Sequence, residues 1–312
     1  MNNDFAILVI AYKRPEALRL LLSKIPKNAS SCVYFALDAP KVDEDKELNS
    51  QCMETIAEWE QSYPGKIHKK FAAQNLGCSI SVLEACKWVF ESEDYVAILE
   101  DDCVPSDGFF KLVADARSHI ESNWELIMVC GTQFVPSSIT GNRWSISKYP
   151  MIWGWATTKS SWLLIQEFFE TGILVDLPGR KWNFVDYSYW RAGARRGLEG
   201  FVDAWDTPLA FFMQKYGLRA ILPGQNLVTN IGDDVVATHT RDSTVWVRTE
   251  LATYRLDDSS PMDNLMLDRW LRRNFYQISL RHIVTTRVTW LLDRINVNKR
   301  KRRDLRITLS SN

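Results

Sequence analysis

The stretch Tyr95-Val-Ala-Ile-Leu-Glu-Asp-Asp102 sets the fold class, because an apolar run leads directly into three adjacent carboxylates. Five consecutive apolar residues before polar ones are typical of a strand that is buried on both faces. Neighbouring carboxylates repel one another unless a cation or hydrogen-bond donors compensate. Mg²⁺ and Mn²⁺ do so, bound by few carboxylates together with the phosphate oxygens of a nucleotide. A solvated acidic turn, or a helix N-terminus that favours acids, is the alternative.

Strand and helix patterns alternate on both sides of this stretch through the first 130 residues. Apolar runs predict further strands at residues 5–10, 33–37, 67–71 and 126–130, and helical spacing predicts helices at residues 15–25, 44–61, 82–90 and 109–120. This order indicates an α/β fold with a mixed, mostly parallel sheet flanked by helices. Ligands bind beyond the carboxyl ends of such strands, which places Ala11 to Arg14, Asp38, and Glu100 to Asp102 along one edge.

Composition and charge narrow the class of protein. The 312 residues are 46% hydrophobic and 24% charged, which excludes a disordered or fibrous chain. The net charge of zero hides an asymmetry: the residues from Arg269 onward carry twelve bases and two acids, a net +10, and the body carries −10.

The six cysteines lie in the first 130 residues without a C-x-x-C pair, which predicts reduced thiols. With no signal peptide and no long apolar run, a cytoplasmic protein is expected.

Three motifs together resemble a known family. Residues 7–15 (ILVIAYKRP), 75–78 (NLGC) and 98–106 (ILEDDCVPS), followed by Phe109 and Phe110, resemble the nucleotide-sugar-binding half of glycosyltransferases of the GT-A fold. Within that fold they look most like bacterial relatives of the N-acetylglucosaminyltransferase I family. The resemblance covers roughly residues 5 to 240, and the motifs are specific as a set rather than singly.

The resemblance implies roles for individual residues. Asp102 matches the last acid of the Asp-x-Asp element, which holds Mn²⁺ or Mg²⁺, although the first position here is Glu100. His239, in a closing segment at residues 225–240, is implied as a second contact to the metal or diphosphate. The remaining matches are implied to bind the nucleotide of the donor: Ala11, Tyr12, Arg14, Asp38, Asn75, Gly77, Glu100 and Asp101. For Tyr12 and Asp38, an ordinary turn at a strand end is the alternative.

The second half supplies candidates for the acceptor and the base. Trp153, Gly154 and Trp155 form a Trp-Gly-Trp sequence whose rings are suited to stacking on a sugar, although most tryptophans are core residues. Asp206 resembles the family's acidic motif, whose carboxylate takes the proton from the acceptor hydroxyl. A helix N-cap is the alternative for Asp206, and Asp186 and Asp203 compete for the role of base.

These observations predict four segments. Residues 1–134 form the nucleotide-sugar half and residues 135–240 the acceptor and catalytic half of one domain; residues 241–264 form a linker, and residues 265–312 form a basic, amphipathic helical tail. In the tail, Val284, Val288, Leu291 and Ile295 share one helix face beside the basic cluster at residues 299–303. This pattern favours an anionic membrane surface, with packing on the acidic body or a nucleic-acid contact as alternatives.

The expected activity is a metal-dependent, inverting transfer of a sugar from a nucleotide diphosphate sugar, with a UDP-sugar expected, to a glycan or lipid-linked glycan of a bacterial surface polysaccharide. The enzyme is expected at the inner face of the membrane, without nucleic acid as a partner. A sugar-phosphate nucleotidyltransferase is the first rival, but residues 11–15 lack the glycines of its phosphate loop. A non-catalytic glycan- or membrane-binding protein is the second.

Overall fold

The computed structural model describes residues 5–172, 184–232, 261–281 and 283–295. The first part alternates strands with helices, in close agreement with the sequence pattern. Its elements are β1 (Ala6–Ala11), α1 (Pro15–Ser23), β2 (Cys32–Leu37), α2 (Lys46–Glu60), β3 (Lys66–Phe71), α3 (Cys78–Val89), β4 (Tyr95–Glu100), β5 (Cys103–Pro105), α4 (Asp107–Ser122) and β6 (Leu126–Cys130).

The later part contains shorter strands and five more helices, the last of which lies in the C-terminal region. They are α5 (Ser137–Thr140), β7 (Ser145–Ser147), β8 (Trp155–Thr158), α6 (Lys159–Thr171), α7 (Phe184–Leu198), α8 (Asp206–Tyr216), β9 (Arg219–Leu222), β10 (Val228–Asn230), β11 (Met262–Asp263) and α9 (Leu265–Trp270). A π-helical turn (Leu271–Phe275) follows α9, and residues 283–295 form a C-terminal helix.

Nine of the described strands form one sheet in the order β11-β7-β9-β6-β8-β4-β1-β2-β3. Strands β4, β1, β2 and β3 are parallel, whereas β8 runs antiparallel between β4 and β6. The predicted mixed, mostly parallel sheet flanked by helices is confirmed. Because described strands from both predicted halves, β1 to β4 with β6 and β7 to β9, pair within this one sheet, the two halves share it.

Each face of the sheet is covered by helices. Alternate residues of β1, such as Ile7 and Val9, pack with the apolar faces of α1, α2 and α4. Their neighbours Leu8 and Ile10 pack on the other side with α3, α6, α7 and α8. This double cover explains why the central strands are apolar at almost every position.

The region after residue 260 also packs on the body. Strand β11 pairs with β7, and the side chains of Leu267 and Leu271 are completely buried. The predicted linker up to residue 260 lies outside the described residues. The body therefore includes at least residues 262–271, which were predicted as the end of the linker and the start of the tail.

Candidate active site

Two carboxylates are buried at the carboxyl edge of the sheet, in the turn after β4. Asp101 and Asp102 are only 5% and 8% exposed. Nη1 of Arg14, from the loop after β1, lies 2.6 Å from Oδ2 of Asp102 and 3.3 Å from Oδ1 of Asp101. The backbone N–H of Tyr12 donates to the other oxygen of Asp101 at 3.0 Å. The loop after β1 and the acidic turn therefore hold each other in place.

Asn230 is a further residue at this acid pair. Strand β10 pairs antiparallel with β5 and sets Asn230 opposite Cys103. From this register, Nδ2 of Asn230 donates to Oδ1 of Asp102 at 3.1 Å. The sequence patterns did not single out Asn230, although it belongs to the closing segment at residues 225–240. Only the pairing of two short strands brings it to Asp102.

Crowding of acids changes their protonation. Burial, followed by the charges of Asp102, Asp101 and Asp206, raises the pKa of Glu100 to about 8. Burial and the charge of Asp102 raise the pKa of Asp101 to about 6, with Arg14 acting in the opposite direction. The edge thus retains protons at a pH where ordinary carboxyl groups have lost them. Asp206 is also close enough for its charge to act on Glu100.

The predicted metal site has a suitable donor chemistry. Carboxylate oxygens such as those of Asp101 and Asp102 are what Mg²⁺ and Mn²⁺ prefer, and one or two suffice when phosphates supply further ligands. Within the described residues, no group of three His, Cys, Asp or Glu side chains is arranged to hold a metal. Both oxygens of Asp102 already accept hydrogen bonds, from Arg14 and Asn230. A divalent ion at Asp102 would therefore take the place of the guanidinium, and His239 lies outside the described residues.

Asp38 organises the loop that carries Asn75 and Gly77. Its carboxylate accepts the backbone N–H groups of Leu76 at 2.8 Å and Gly77 at 3.1 Å, and Nδ2 of Asn75 donates to it at 3.1 Å. Asp38 itself is buried. These three predicted nucleotide contacts thus form one connected loop support at the carboxyl edge.

Gly77 is the point where the two halves meet. Its φ is +79°, and a Cβ atom there would lie 2.6 Å from Oδ2 of Asp203. The Asp203 carboxylate accepts the N–H groups of Cys78 at 2.8 Å and Ser79 at 2.7 Å, at the start of α3. Asp203, an alternative candidate for the base, therefore caps a helix and joins the halves.

The remaining predicted nucleotide contacts lie just after β1. Ala11 is the buried last residue of that strand. The hydroxyl of Tyr12 donates to Asp45 at 2.6 Å and accepts the N–H of Lys41 at 3.0 Å. Burial, together with Asp45, raises the pKa of Tyr12 to about 12, so this phenol stays protonated. The side chain of Tyr12 is fixed against the segment before α2.

Asp206 is the first residue of α8 and lines a cavity of about 230 Å³. One of its carboxylate oxygens accepts the N–H of Thr207 at 2.7 Å. Asp206 is exposed, unlike Asp101 and Asp102. Asp186, the third candidate for the base, forms ion pairs with Arg272 at 2.8 Å and Lys148 at 3.5 Å and lines a different cavity. Of the three candidate bases, Asp206 alone lines the smaller cavity.

The Trp-Gly-Trp sequence divides between cavity and core. Trp153 lines the same cavity as Asp206. Trp155 is 1% exposed in β8 and packs on Trp205 with ring centroids 5.5 Å apart, so it is a core residue and not an acceptor contact. Gly154 has φ +69°, and a Cβ atom there would lie 2.7 Å from Val228. Glycine is therefore required at position 154, because the backbone has a positive φ there and Val228 leaves no room for a side chain.

These features define a mixed α/β domain with an acidic carboxyl edge beside an aromatic cavity. No protein-family model matches the sequence, and no curated protein matches it. The resemblance to the N-acetylglucosaminyltransferase I family therefore rests on the quoted motifs alone.

Three solved structures illustrate what the chain resembles in part. Residues 1–349 of TarS from S. aureus match with 13% identity and a TM-score of 0.45, over 74% of this chain and 61% of that one. UDP-glucose pyrophosphorylase from Acinetobacter baumanii matches with 12% identity and a TM-score of 0.38, over 73% and 88%. The 4-diphosphocytidyl-2C-methyl-D-erythritol synthase from Anaerococcus prevotii matches with 11% and 0.33, over 56% and 80%. The chain spans about three fifths of the TarS structure.

Proposed function

We propose that this protein is an inverting glycosyltransferase of the GT-A type, which moves a sugar from a nucleotide diphosphate sugar, a UDP-sugar, to a glycan or lipid-linked glycan. One observation carries the proposal. The buried pair Asp101–Asp102, bonded to Arg14 at the carboxyl edge, directly follows Glu100, which lies within electrostatic reach of Asp206 in the lining of an aromatic cavity. A charged site for a diphosphate thus adjoins a less polar site with a proton acceptor.

The chemistry assigns one task to each side. A hydroxyl of the acceptor attacks the anomeric carbon of the donor, and the bond from that carbon to the diphosphate oxygen breaks. Asp206 takes the hydroxyl proton as the new bond forms. Arg14 presents a guanidinium, which binds phosphate oxygens in a bidentate manner, toward the departing nucleoside diphosphate. Attack from the face opposite the leaving group inverts the anomeric centre.

We further propose that Mn²⁺ or Mg²⁺ binds at Asp102, supported by Asp101, with His239 as a predicted additional contact. When bound, the ion neutralises charge on the diphosphate. Arg14 and Asn230, which hold Asp102 in the described structure, keep its carboxylate oriented in the absence of the ion.

The nucleoside is proposed to lie against the loop of residues 75–77 and the turn after β1. Asp38 fixes the loop by accepting two of its backbone N–H groups. Tyr12, fixed by Asp45, borders the same edge. In this arrangement Asp38 shapes the nucleotide site through the loop, in addition to its predicted contact with the nucleotide.

A membrane contact is proposed for the tail. The C-terminal helix packs on α7 through polar groups: Arg287 donates to Ser188 at 3.2 Å, and Asp293 pairs with Arg196 at 2.9 Å. Except for the buried Ile283 at its start, its aliphatic residues are exposed, for example Val284 at 61% and Leu291 at 51%. Among the described residues, no helix combines the length and the apolar character needed to cross a bilayer. An apolar face next to clustered bases suits the surface of an anionic membrane, the inner face of the cell membrane.

Flotation with vesicles tests this contact. We expect the full chain to float with vesicles of phosphatidylglycerol and phosphatidylcholine at low salt, and much less with phosphatidylcholine alone. A double variant, Val284→Ser with Leu291→Ser, should float less. Equal flotation of that variant and the unchanged protein would contradict a role for the apolar face.

The activity is tested by product release. The chain is incubated with a panel of UDP-sugars and Mn²⁺, and released UDP is measured with and without glycan acceptors. We expect UDP from at least one donor, at a rate that rises with acceptor. Pyrophosphate release from UTP and a sugar 1-phosphate would instead indicate the nucleotidyltransferase. Neither product, together with no thermal stabilisation by UDP, would indicate the non-catalytic binding protein.

A further inference from the structure

The cavity beside Asp206 is a chamber of aromatic rings, which we call the aromatic cavity. Phe134 and Phe275 stack with centroids 5.3 Å apart, and Trp153 meets Phe134 edge-on at 5.4 Å. Six of the residues that line it are aromatic and come from four separate parts of the chain: Phe134, Trp153, Tyr189, Trp190, Phe275 and Tyr276.

Two of the rings come from the region that sequence reasoning assigned to the tail. Phe275 and Tyr276 follow Leu271, whose side chain is completely buried in the body. The hydroxyl of Tyr276 donates to the carbonyl oxygen of Pro150 at 3.1 Å, and the hydroxyl of Tyr189 donates to the carbonyl oxygen of Tyr276 at 3.3 Å. The segment is therefore fixed to two walls of the aromatic cavity and forms a third.

The charge of the lining selects among ligands. Asp206 is the one charged residue in the lining that the structure describes, and Lys, Arg and His do not occur in it. A phosphate group or a nucleotide would meet a negative charge, and no basic side chain of the described lining would compensate it. The guanidinium of Arg14 suits the donor's diphosphate better, and an uncharged group suits the aromatic cavity.

Size and polarity point to a single sugar ring. A volume of about 230 Å³ is below the roughly 300–1,000 Å³ of typical pockets for larger ligands. Aromatic faces suit the C–H faces of a pyranose, and Asp206 and Thr207 offer partners for its hydroxyl groups.

We propose that the aromatic cavity binds the terminal, neutral pyranose of the acceptor, and that Phe275 and Tyr276 complete this subsite from beyond residue 264. This inference rests on the proposed function and deepens it. The C-terminal region then serves acceptor binding directly, in addition to the membrane contact proposed for the helix that follows.

Saturation-transfer NMR on the full chain tests the subsite. The probes are the methyl glycosides of glucose, galactose, mannose, N-acetylglucosamine and N-acetylgalactosamine, with tetramethylammonium as a cationic probe and UDP with diamagnetic Mg²⁺ as a nucleotide probe. We expect saturation of the ring protons of at least one glycoside. Phe275→Ala and, independently, Trp153→Ala should reduce it at least threefold and leave the UDP signal unchanged. Trp124→Ala, at an exposed residue outside the cavity, is the matched control and should change neither signal.

Each outcome bears on one proposal. Absence of saturation for all the glycosides, or saturation that survives both cavity variants, overturns the sugar subsite. Saturation of tetramethylammonium in place of the glycosides also overturns it, because it shows a cage for cations. If the protein without substitutions gives no UDP signal, this result instead contradicts the nucleotide-sugar function. An unchanged UDP signal and melting temperature in the variants show that they are folded.

Discussion

The carboxyl edge and the aromatic cavity lie side by side but are built in opposite ways. At the edge, Asp38 and Asp102 are buried, and backbone or side-chain donors fill their oxygens. At the cavity, Asp206 is exposed, and one oxygen of its carboxylate accepts the N–H and the hydroxyl of Thr207. The comparison shows that the carboxyl edge is a preorganised surface suited to a charged group, and that it adjoins Asp206, an exposed carboxylate that can accept a proton.

The largest effect is expected at the cavity. Asp206→Asn keeps the shape of the side chain but removes the proton acceptor, so kcat should fall about 10²- to 10⁴-fold. Initial rates across pH with the accepted donor measure this loss, and the variant should also lose the acidic limb of the profile. Glu54→Gln, at an exposed acid of α2, is the control. Retained rate and pH dependence would assign the base elsewhere.

The edge should respond to pH through stability. Burial raises the pKa values of Glu100 and Asp101, so the folded state keeps protons that the unfolded chain releases near pH 4. Raising the pH from 4 toward 8 therefore costs several kcal/mol of stability, since a difference of one pKa unit corresponds to about 1.4 kcal/mol. Urea unfolding in metal-free buffer measures the free energy of unfolding at each pH. Glu100→Gln should flatten the decline above pH 6, and an unchanged slope would contradict this cause.

The junction between the two regions should be sensitive at Gly77. Gly77→Ala forces a Cβ against Asp203 and places a side chain at positive φ, which should cost about 2 kcal/mol. Gly141 also has positive φ, but a Cβ atom there meets nothing within 4 Å. Gly77 has ψ 169°, in a region that is essentially restricted to glycine, whereas Gly141 has ψ 24°, in the left-handed helical region. Gly141→Ala therefore measures the smaller backbone cost of the left-handed region, about 1 kcal/mol. Equal losses of urea stability in the two variants would show that neither the contact with Asp203 nor the backbone conformation of Gly77 adds a cost.

The smallest effect concerns the cation at the edge. Because Arg14 holds the oxygen of Asp102 that a metal would use, Mn²⁺ should bind the free protein weakly. UDP should tighten Mn²⁺ binding about tenfold, or roughly 1.4 kcal/mol, and Mn²⁺ should tighten UDP binding equally. Electron paramagnetic resonance of free Mn²⁺ measures the first effect and calorimetry the second. Asp102→Asn should abolish the coupling, and a coupling that survives in it would place the metal elsewhere.

The sequence predicted the edge better than the cavity for a physical reason. Strand periodicity and the parallel arrangement were sufficient to bring Arg14, Asp38 and Asp101 to one side, because parallel strands share their carboxyl ends. Asn230 and Phe275 escaped prediction, because short strands and a π-helical turn place them from more than 120 residues away. Trp155 was assigned to the ligand, but the antiparallel strand β8 buries it.

The position of β8 has a consequence for biosynthesis. The N-terminal strands can assemble as soon as they leave the ribosome, but β4 is completed on its other side only by residues 155–158. Until then, the apolar edge of β4 has unpaired backbone groups, which can recruit other chains. A nascent chain that stops near residue 134 would therefore be prone to aggregate, and chaperone engagement should fall once β8 has emerged.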